Sequence, residues 1–297
     1  MRALGDSRTP LFFLIISSFI NVFLDLMFVL QFHMGVFGAA LATVISQAAS
    51  ATVSLAYAFW KVPYYRAEKE DLMPHKKIIL YSFKLGVPMA LQSSLISISL
   101  IVLQSVVNGF GNIVMAAYTI SAKVDVVVSQ LYVAVSHAMT TYAGQNYGAG
   151  NADRIKAGVK RGSIIVTSYN LLVIPLICIF SSFIAGAFVK DPEVIKVATT
   201  ALRINGALYF GLGMIYVPRG TLNGCGDAAF SMINGMTEVI CRIVYANILT
   251  SIAFIGVWGI WWAAGLTWFT TAGVNMWRFL KGPWKSKIAA AKQSNGQ

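Results

Sequence analysis

Residues 5–38 read GDSRTPLFFLIISSFINVFLDLMFVLQFHMGVFG. A Gly-Asp entry leads into about twenty apolar residues, enough to cross a bilayer as a helix, and the stretch closes on a glycine-flanked turn. Asn21 and Asp25 interrupt the apolar run. An ionisable group at that depth is expensive, so it needs a partner or a function. The outline returns later in the chain. Gly5-Asp6 matches Gly226-Asp227, and at the same offset of 221 residues Gly35-Val36-Phe37-Gly38 matches Gly256-Val257-Trp258-Gly259. Each copy reads as a Gly-Asp loop, a helix, a tight Gly-Val-aromatic-Gly turn and a returning helix.

Composition sets the solvent. Of 297 residues, 57% are hydrophobic and 11% charged, and the mean hydropathy is +0.68. A soluble chain carries about 25% charged residues. Eight long apolar runs stand out, at 11–31, 36–60, 81–107, 114–140, 162–188, 194–217, 230–253 and 256–279. Backbone polar groups in lipid must be satisfied within the segment, which makes these runs helices. The ten-residue alternation of a membrane β-barrel is missing. The predicted fold class is an all-α polytopic membrane protein with about eight transmembrane helices.

The net charge of +12 follows topology. With Arg2 and Arg8 taken as cytoplasmic, the cytoplasmic side also receives Arg66, Lys69, Lys76, Lys77, Arg154, Lys156, Lys160, Arg161, Arg219 and the basic tail. Lys190 and Lys196 fall opposite. This is the positive-inside bias, so nucleic acid is not expected as a partner and the lipid bilayer is. The apolar region before Ala40-Leu41-Ala42 is longer than that of a secretory leader and recurs deep in the chain. Cys178, Cys225 and Cys241 are scattered, with neither disulfide nor metal spacing. The stretch 141–161 (TYAGQNYGAGNADRIKAGVKR) is Gly-rich but lacks a Gly-Lys-Ser/Thr ending, so nucleotide binding is not expected.

Both copies of the repeat start on one side, so they are parallel. Four helices precede the second copy, and by symmetry four are expected ahead of Met1. The expected organisation is residues 1–60 as the last two helices of a first lobe, 61–80 as a cytoplasmic linker, 81–280 as a second six-helix lobe and 281–297 as a cytoplasmic tail.

Candidate functional residues are the intramembrane polar ones. Asn21 and Asp25 share a helix face. Asp25 lies about six residues before Gln31, roughly 9 Å, and Thr43 about seven residues after Val36, roughly 10 Å. They therefore reach similar depth on antiparallel neighbours. Carboxylate, amide and hydroxyl suit a proton or a hard cation, and an inter-helix packing role suits Asp25 equally. At the repeat offset the three become Arg242, Ala246 and Ala264, so the second copy lacks the set. Glu238 and Arg242, spaced i and i+4 with the acid first, form an expected structural ion pair. Lys123 and Asp125 are two apart and each needs another partner. Gln92, Gln104, Asn108, Arg203 and Asn205 are candidates for lining a substrate cavity. His33, His75 and His137 are far apart in topology and no catalytic constellation exists, so an enzyme is not expected, nor is a bound metal or cofactor.

Three loops carry a family resemblance. RALGDSRTP (2–10), AGQNYGAG (143–150) and RGTLNGCGD (219–227) resemble signature loops of the multidrug and toxic compound extrusion (MATE) family, in order and over nearly the whole chain. The resemblance implies a twelve-helix, two-lobe antiporter in the plasma (inner) membrane, with its C-terminus cytoplasmic. It would expel small organic cations against H⁺ or Na⁺ by alternating access. Many members of the family bind the coupling cation in the first lobe through an Asp on helix one, an Asn and an Asp on helix five, and a Thr on helix six. Asn21, Asp25 and Thr43 match the last three. On this reading the helix-one Asp precedes Met1, and the chain is a portion of a transporter that needs the N-terminal helices in trans or is inactive alone. A lipid-linked saccharide flippase of the same superfamily is the alternative, with Lys123, Arg203 and Arg242 as its cations.

Overall fold

The computed structural model describes residues 5–6, 8–61 and 73–285. The eight apolar runs form eight helices: α1 (Arg8–Leu26), α2 (Gly35–Lys61), α3 (Lys76–Asn108), α4 (Asn112–Gly148), α5 (Ala152–Phe188), α6 (Pro192–Gly224), α7 (Ala228–Ser251) and α8 (Gly259–Lys281). Several outrun their apolar stretches. The segment 141–161 is helical except for Ala149–Asn151, because the backbone ladder continues into polar sequence once nucleated. Of the expected linker 61–80, residues 62–72 lie outside the described residues, and Lys76 already opens α3. Of the expected tail, 286–297 lie outside them too, while Trp284 folds back to donate its Nε1–H to the Phe279 carbonyl at 2.8 Å.

Five helices, α1 to α5, are by themselves long and apolar enough to cross a membrane, with mean hydropathies of 1.3 to 2.5 over their best windows. Their large side chains face outward: Phe19 is 74% exposed and Phe183 78%. In water such a surface would drive aggregation, whereas in lipid it is the solvated face. Helices α6 to α8 are more polar because their polar residues are buried, among them Asn205, Thr221, Glu238, Arg242, Thr271 and Asn275.

The chain divides into two compact units, Met1–Ile79 and Leu80–Gln297. The first is the α1–α2 hairpin. Ser17, buried on α1, donates to the Ser46 carbonyl on α2 at 2.9 Å. Before the turn, α1 loosens into a π turn, Met27–Gln31, seen in the Phe32 N–H bonding to the Met27 carbonyl at 3.1 Å.

In the second unit α6 is the central helix, packed against α4, α5 and α8. Two glycines let it approach α4 backbone to backbone. A Cβ on Gly220 would lie 2.3 Å from the Ser136 carbonyl oxygen, and one on Gly224 2.3 Å from that of Thr140. The Thr140 hydroxyl donates to the Gly220 carbonyl at 3.1 Å. This is the small-residue packing that membrane helices use in place of a hydrophobic drive. Tyr132 and Tyr209, fully buried, anchor one apolar cluster, and Trp261 with Ala198 and Ala201 another.

The internal repeat is visible in the backbone of each copy. Gly5 and Gly226 have φ of 91° and 75°, and Gly35 and Gly256 have φ of 54° and 51°, a region open to glycine at little cost. The copies diverge at the acid. Asp6 accepts from the amides of Arg8 and Thr9 at 3.2 and 3.1 Å, which caps α1 and holds its carboxyl below the usual range through the Thr9 bonds. Asp227 instead takes the Arg278 guanidinium at 2.7 and 3.1 Å. At the repeat offset Arg278 corresponds to Tyr57, so the first copy lacks a cation at that position.

Candidate functional site

In the first unit, Asn21 donates through Nδ2 to the Thr43 Oγ1 at 3.4 Å, and Thr43 donates to the Ala39 carbonyl at 3.0 Å. The hydrogen bond to Thr43 thus comes from Asn21, one turn before Asp25. The helix bounds account for this. Since α2 begins at Gly35, Thr43 is eight residues into it, against six between Asp25 and Gln31, a mismatch of about 3 Å. Asp25 sits two residues before the π turn. Its Oδ1 is buried and has no hydrogen-bond partner among the described residues.

The second unit holds a carboxylate whose partners were not readable from the sequence. Asp125 on α4 accepts from the Asn205 Nδ2 at 3.1 and 3.2 Å and from the Tyr209 hydroxyl at 2.6 Å, both on α6. Tyr209 in turn stacks on Trp268 of α8, with ring centroids 6.0 Å apart. The acid and its donors are 80 and 84 residues apart in sequence, and only the α4–α6 approach brings them together.

A larger polar network lies between α3, α6, α7 and α8. Arg242 donates to Glu238 at 2.9 Å, the pair expected from the spacing. Glu238 also takes Arg219 of α6 at 3.1 Å, so the pair is a triad of two cations and one anion. Asn234 accepts from Arg219 at 2.9 Å and from Gln92 at 3.3 Å, and its Nδ2 donates to Asn275 of α8. Arg219 looked like one more basic residue at a membrane edge. It points inward because α6 continues to Gly224, seven residues beyond the end of its apolar run.

The five cavity candidates separate. Gln92 is 5% exposed and belongs to the network. Gln104 donates to Asn108 at 2.9 Å on the surface of α3. Asn205 holds Asp125. Arg203, two residues away on another face of α6, donates through Nε to the Ser181 hydroxyl at 3.1 Å and the Cys178 carbonyl at 3.3 Å. Among the described residues no group of His, Cys, Asp and Glu is placed to hold a metal.

An all-helical chain with lipid-facing aromatics, an internal helical repeat and carboxylates inside its membrane helices is a polytopic membrane protein with the architecture of a transporter. The MatE family profile matches residues 88–248, more than half of the chain, and the chain belongs to that family. It is similar to the probable multidrug resistance protein YpnP of Bacillus subtilis (strain 168), 26% identical over 288 residues, covering 96% of this chain and 64% of that protein. It is also similar to the probable multidrug resistance protein NorM of Thermotoga maritima, 24% identical over 298 residues, covering 99% and 64%. Among solved structures, the outward-facing conformation of a multidrug resistance MATE family transporter of the MOP superfamily superimposes with a TM-score of 0.85 at 22% identity, over 95% of this chain and 62% of that one. This chain therefore spans less than two thirds of the length of these relatives.

Proposed function

We propose that this chain is part of a cation-coupled multidrug exporter of the plasma membrane, in which Asp25, with Asn21 and Thr43, binds the coupling H⁺ or Na⁺. Residues 1–60 then belong to a first lobe, 61–80 to a cytoplasmic linker and 81–280 to a second lobe, with 281–297 a cytoplasmic tail. The cargo is a drug, as the names of the multidrug-resistance relatives suggest, and by the family resemblance a small organic cation.

One observation carries the reading: Asp25 has a buried carboxylate oxygen without a donor. A desolvated charge left unpaired is costly, and a proton or a bound cation removes that cost. Neighbouring oxygens are available for the second case. Asn21 gives its Nδ2 to Thr43, which leaves its carbonyl oxygen for a cation, and the Thr43 hydroxyl oxygen lies beside it. Ion occupancy drives transport only if the ion binds one conformation more tightly than the other. A carboxylate that is unsatisfied without its ion provides such a difference.

The test is ethidium efflux from cells expressing the protein, read beside difference infrared spectroscopy on the purified chain. Asp25→Asn should abolish ion-driven efflux at normal expression and remove a carboxyl band that responds to H⁺ or Na⁺. Full efflux with that substitution would overturn the assignment. The infrared band reads ion binding even where the chain alone moves no cargo.

A further inference from the structure

A recess of 480 Å³ opens between α5 and the first turns of α6, lined by Ser182, Ile195, Lys196, Thr199, Thr200 and Arg203 with Pro192 at its edge. Lys196 and Arg203 are seven residues apart, two turns along one face of α6, so their Cα atoms are separated by about 10 Å along the axis. Neither cation has an acidic partner. Among the described residues Lys196 makes no ion pair, and no carboxylate lines the recess. Asp191, just before α6, is occupied capping the helix, accepting from the amides of Glu193 and Val194 at 2.8 and 3.5 Å. Glu193 is exposed and makes no ion pair among the described residues.

Arg203 is also held in place. Its Nε bonds to Ser181 and to the Cys178 carbonyl tie the side chain back against α5, whereas a snorkelling arginine would stretch toward water. That geometry leaves the two terminal nitrogens of the guanidinium without a protein acceptor among the described residues. Beside them the Thr199 hydroxyl is buried and has no partner among the described residues. Two uncompensated cations and an unsatisfied hydroxyl around one recess form a donor set that lacks its acceptor. The placement is unusual as well, since the positive-inside bias leaves the Pro192 end of α6 on the side of the membrane with few basic residues.

We propose that this recess binds the phosphate of an anionic phospholipid. The Lys196 ammonium and the Arg203 fork hold the phosphate oxygens, Thr199 donates a third hydrogen bond, and the acyl chains run inward along the exposed Ile179 and Leu176 of α5. An arginine fork beside a lysine is a geometry that favours phosphate. A lipid is a better match than a soluble ion because the recess opens beside the apolar outer face of α5, where Leu176, Ile179 and Phe183 are exposed.

The experiment is native mass spectrometry of the full chain released from neutral detergent, titrated with dioleoyl-phosphatidylglycerol, with dioleoyl-phosphatidylcholine, and separately with inorganic phosphate. The protein should retain one phosphatidylglycerol in preference to phosphatidylcholine. The double substitution Lys196→Gln/Arg203→Gln should weaken that binding about tenfold or more, as expected for two lost charge-assisted contacts. Lys160→Gln/Arg161→Gln, at the other end of α5, should leave it unchanged. Phosphatidylglycerol binding that survives the double substitution, or that falls equally in the Lys160/Arg161 control, would overturn the proposal. So would inorganic phosphate binding as tightly as the lipid. Should the double variant not fold, as judged by helical circular dichroism, Lys196→Gln alone, at an exposed position, should show about a threefold loss.

Discussion

Glu238 is the sole anion of a buried triad, and its replacement tests whether charge or hydrogen bonding holds that network together. The side chains of Glu238, Arg242 and Arg219 are 7%, 5% and 12% exposed. Glu238→Gln keeps the shape and most of the hydrogen bonding but leaves two guanidinium groups facing each other with no counter-charge. Breaking a buried pair by removing one partner costs about 3–5 kcal/mol. Arg242→Met does the reverse: it removes the surplus cation and leaves Arg219 and Glu238 as a neutral pair, so the loss should stay below about 2 kcal/mol. Asp125, the other acid in this interior, retains its own bonds from Asn205 and Tyr209. Thermal unfolding in detergent, followed with a thiol-reactive fluorophore, gives the order of stabilities. At about 2–4 °C per kcal/mol, Glu238→Gln should melt roughly 10 °C below the parent protein and Arg242→Met only a few degrees below it. If Arg242→Met melts as low as Glu238→Gln, charge excess is not what governs the triad, and the reasoning fails.

Other consequences are as direct. Gly220→Ala would press a methyl group against the Ser136 carbonyl, 2.3 Å away, and should destabilise by about 1–3 kcal/mol. Gly273→Ala, with nothing within 4 Å of the new Cβ, should be neutral or raise the melting temperature through helix propensity. Tyr209→Phe removes the 2.6 Å donor to Asp125 and should cost about 1.5–3 kcal/mol as a hydrogen bond to a charged group, whereas Tyr245→Phe, which loses bonds with the uncharged Thr270 and Cys241, should cost less. Burial pushes the Cys225 thiol, in the α6–α7 turn, up to about 12. Its thiolate is therefore negligible at neutral pH, and mass mapping after maleimide treatment should find Cys225 unmodified in the folded protein and modified once it unfolds.

The helices were legible because lipid leaves a chain little choice: a long apolar run must satisfy its own backbone. The repeat was legible because two glycine pairs serve the same left-handed turn positions, and such a requirement survives divergence of the residues around it. Glu238 and Arg242 were legible because four residues of separation is a contact distance on a helix. Asp125 was different. Its donors come from α6, and nothing local marks Asn205 or Tyr209 as belonging to it. The pairing of Arg219 with Glu238 was hidden because α6 runs past the end of its apolar stretch. Thr43 lies deeper than its apolar run suggests because α2 begins at Gly35, one residue ahead of that run.

A π turn accommodates one residue more than an α turn, so Met27–Gln31 sets the angular phase between the body of α1 and its exit into α2. Deleting a single residue there would let the helix close into regular α geometry and would rotate everything before it by about 100° relative to the turn. Ser17, Asn21 and Asp25 would then swing together off the face they present to α2. The extra residue that looks like a local irregularity is the one that aims the carboxylate.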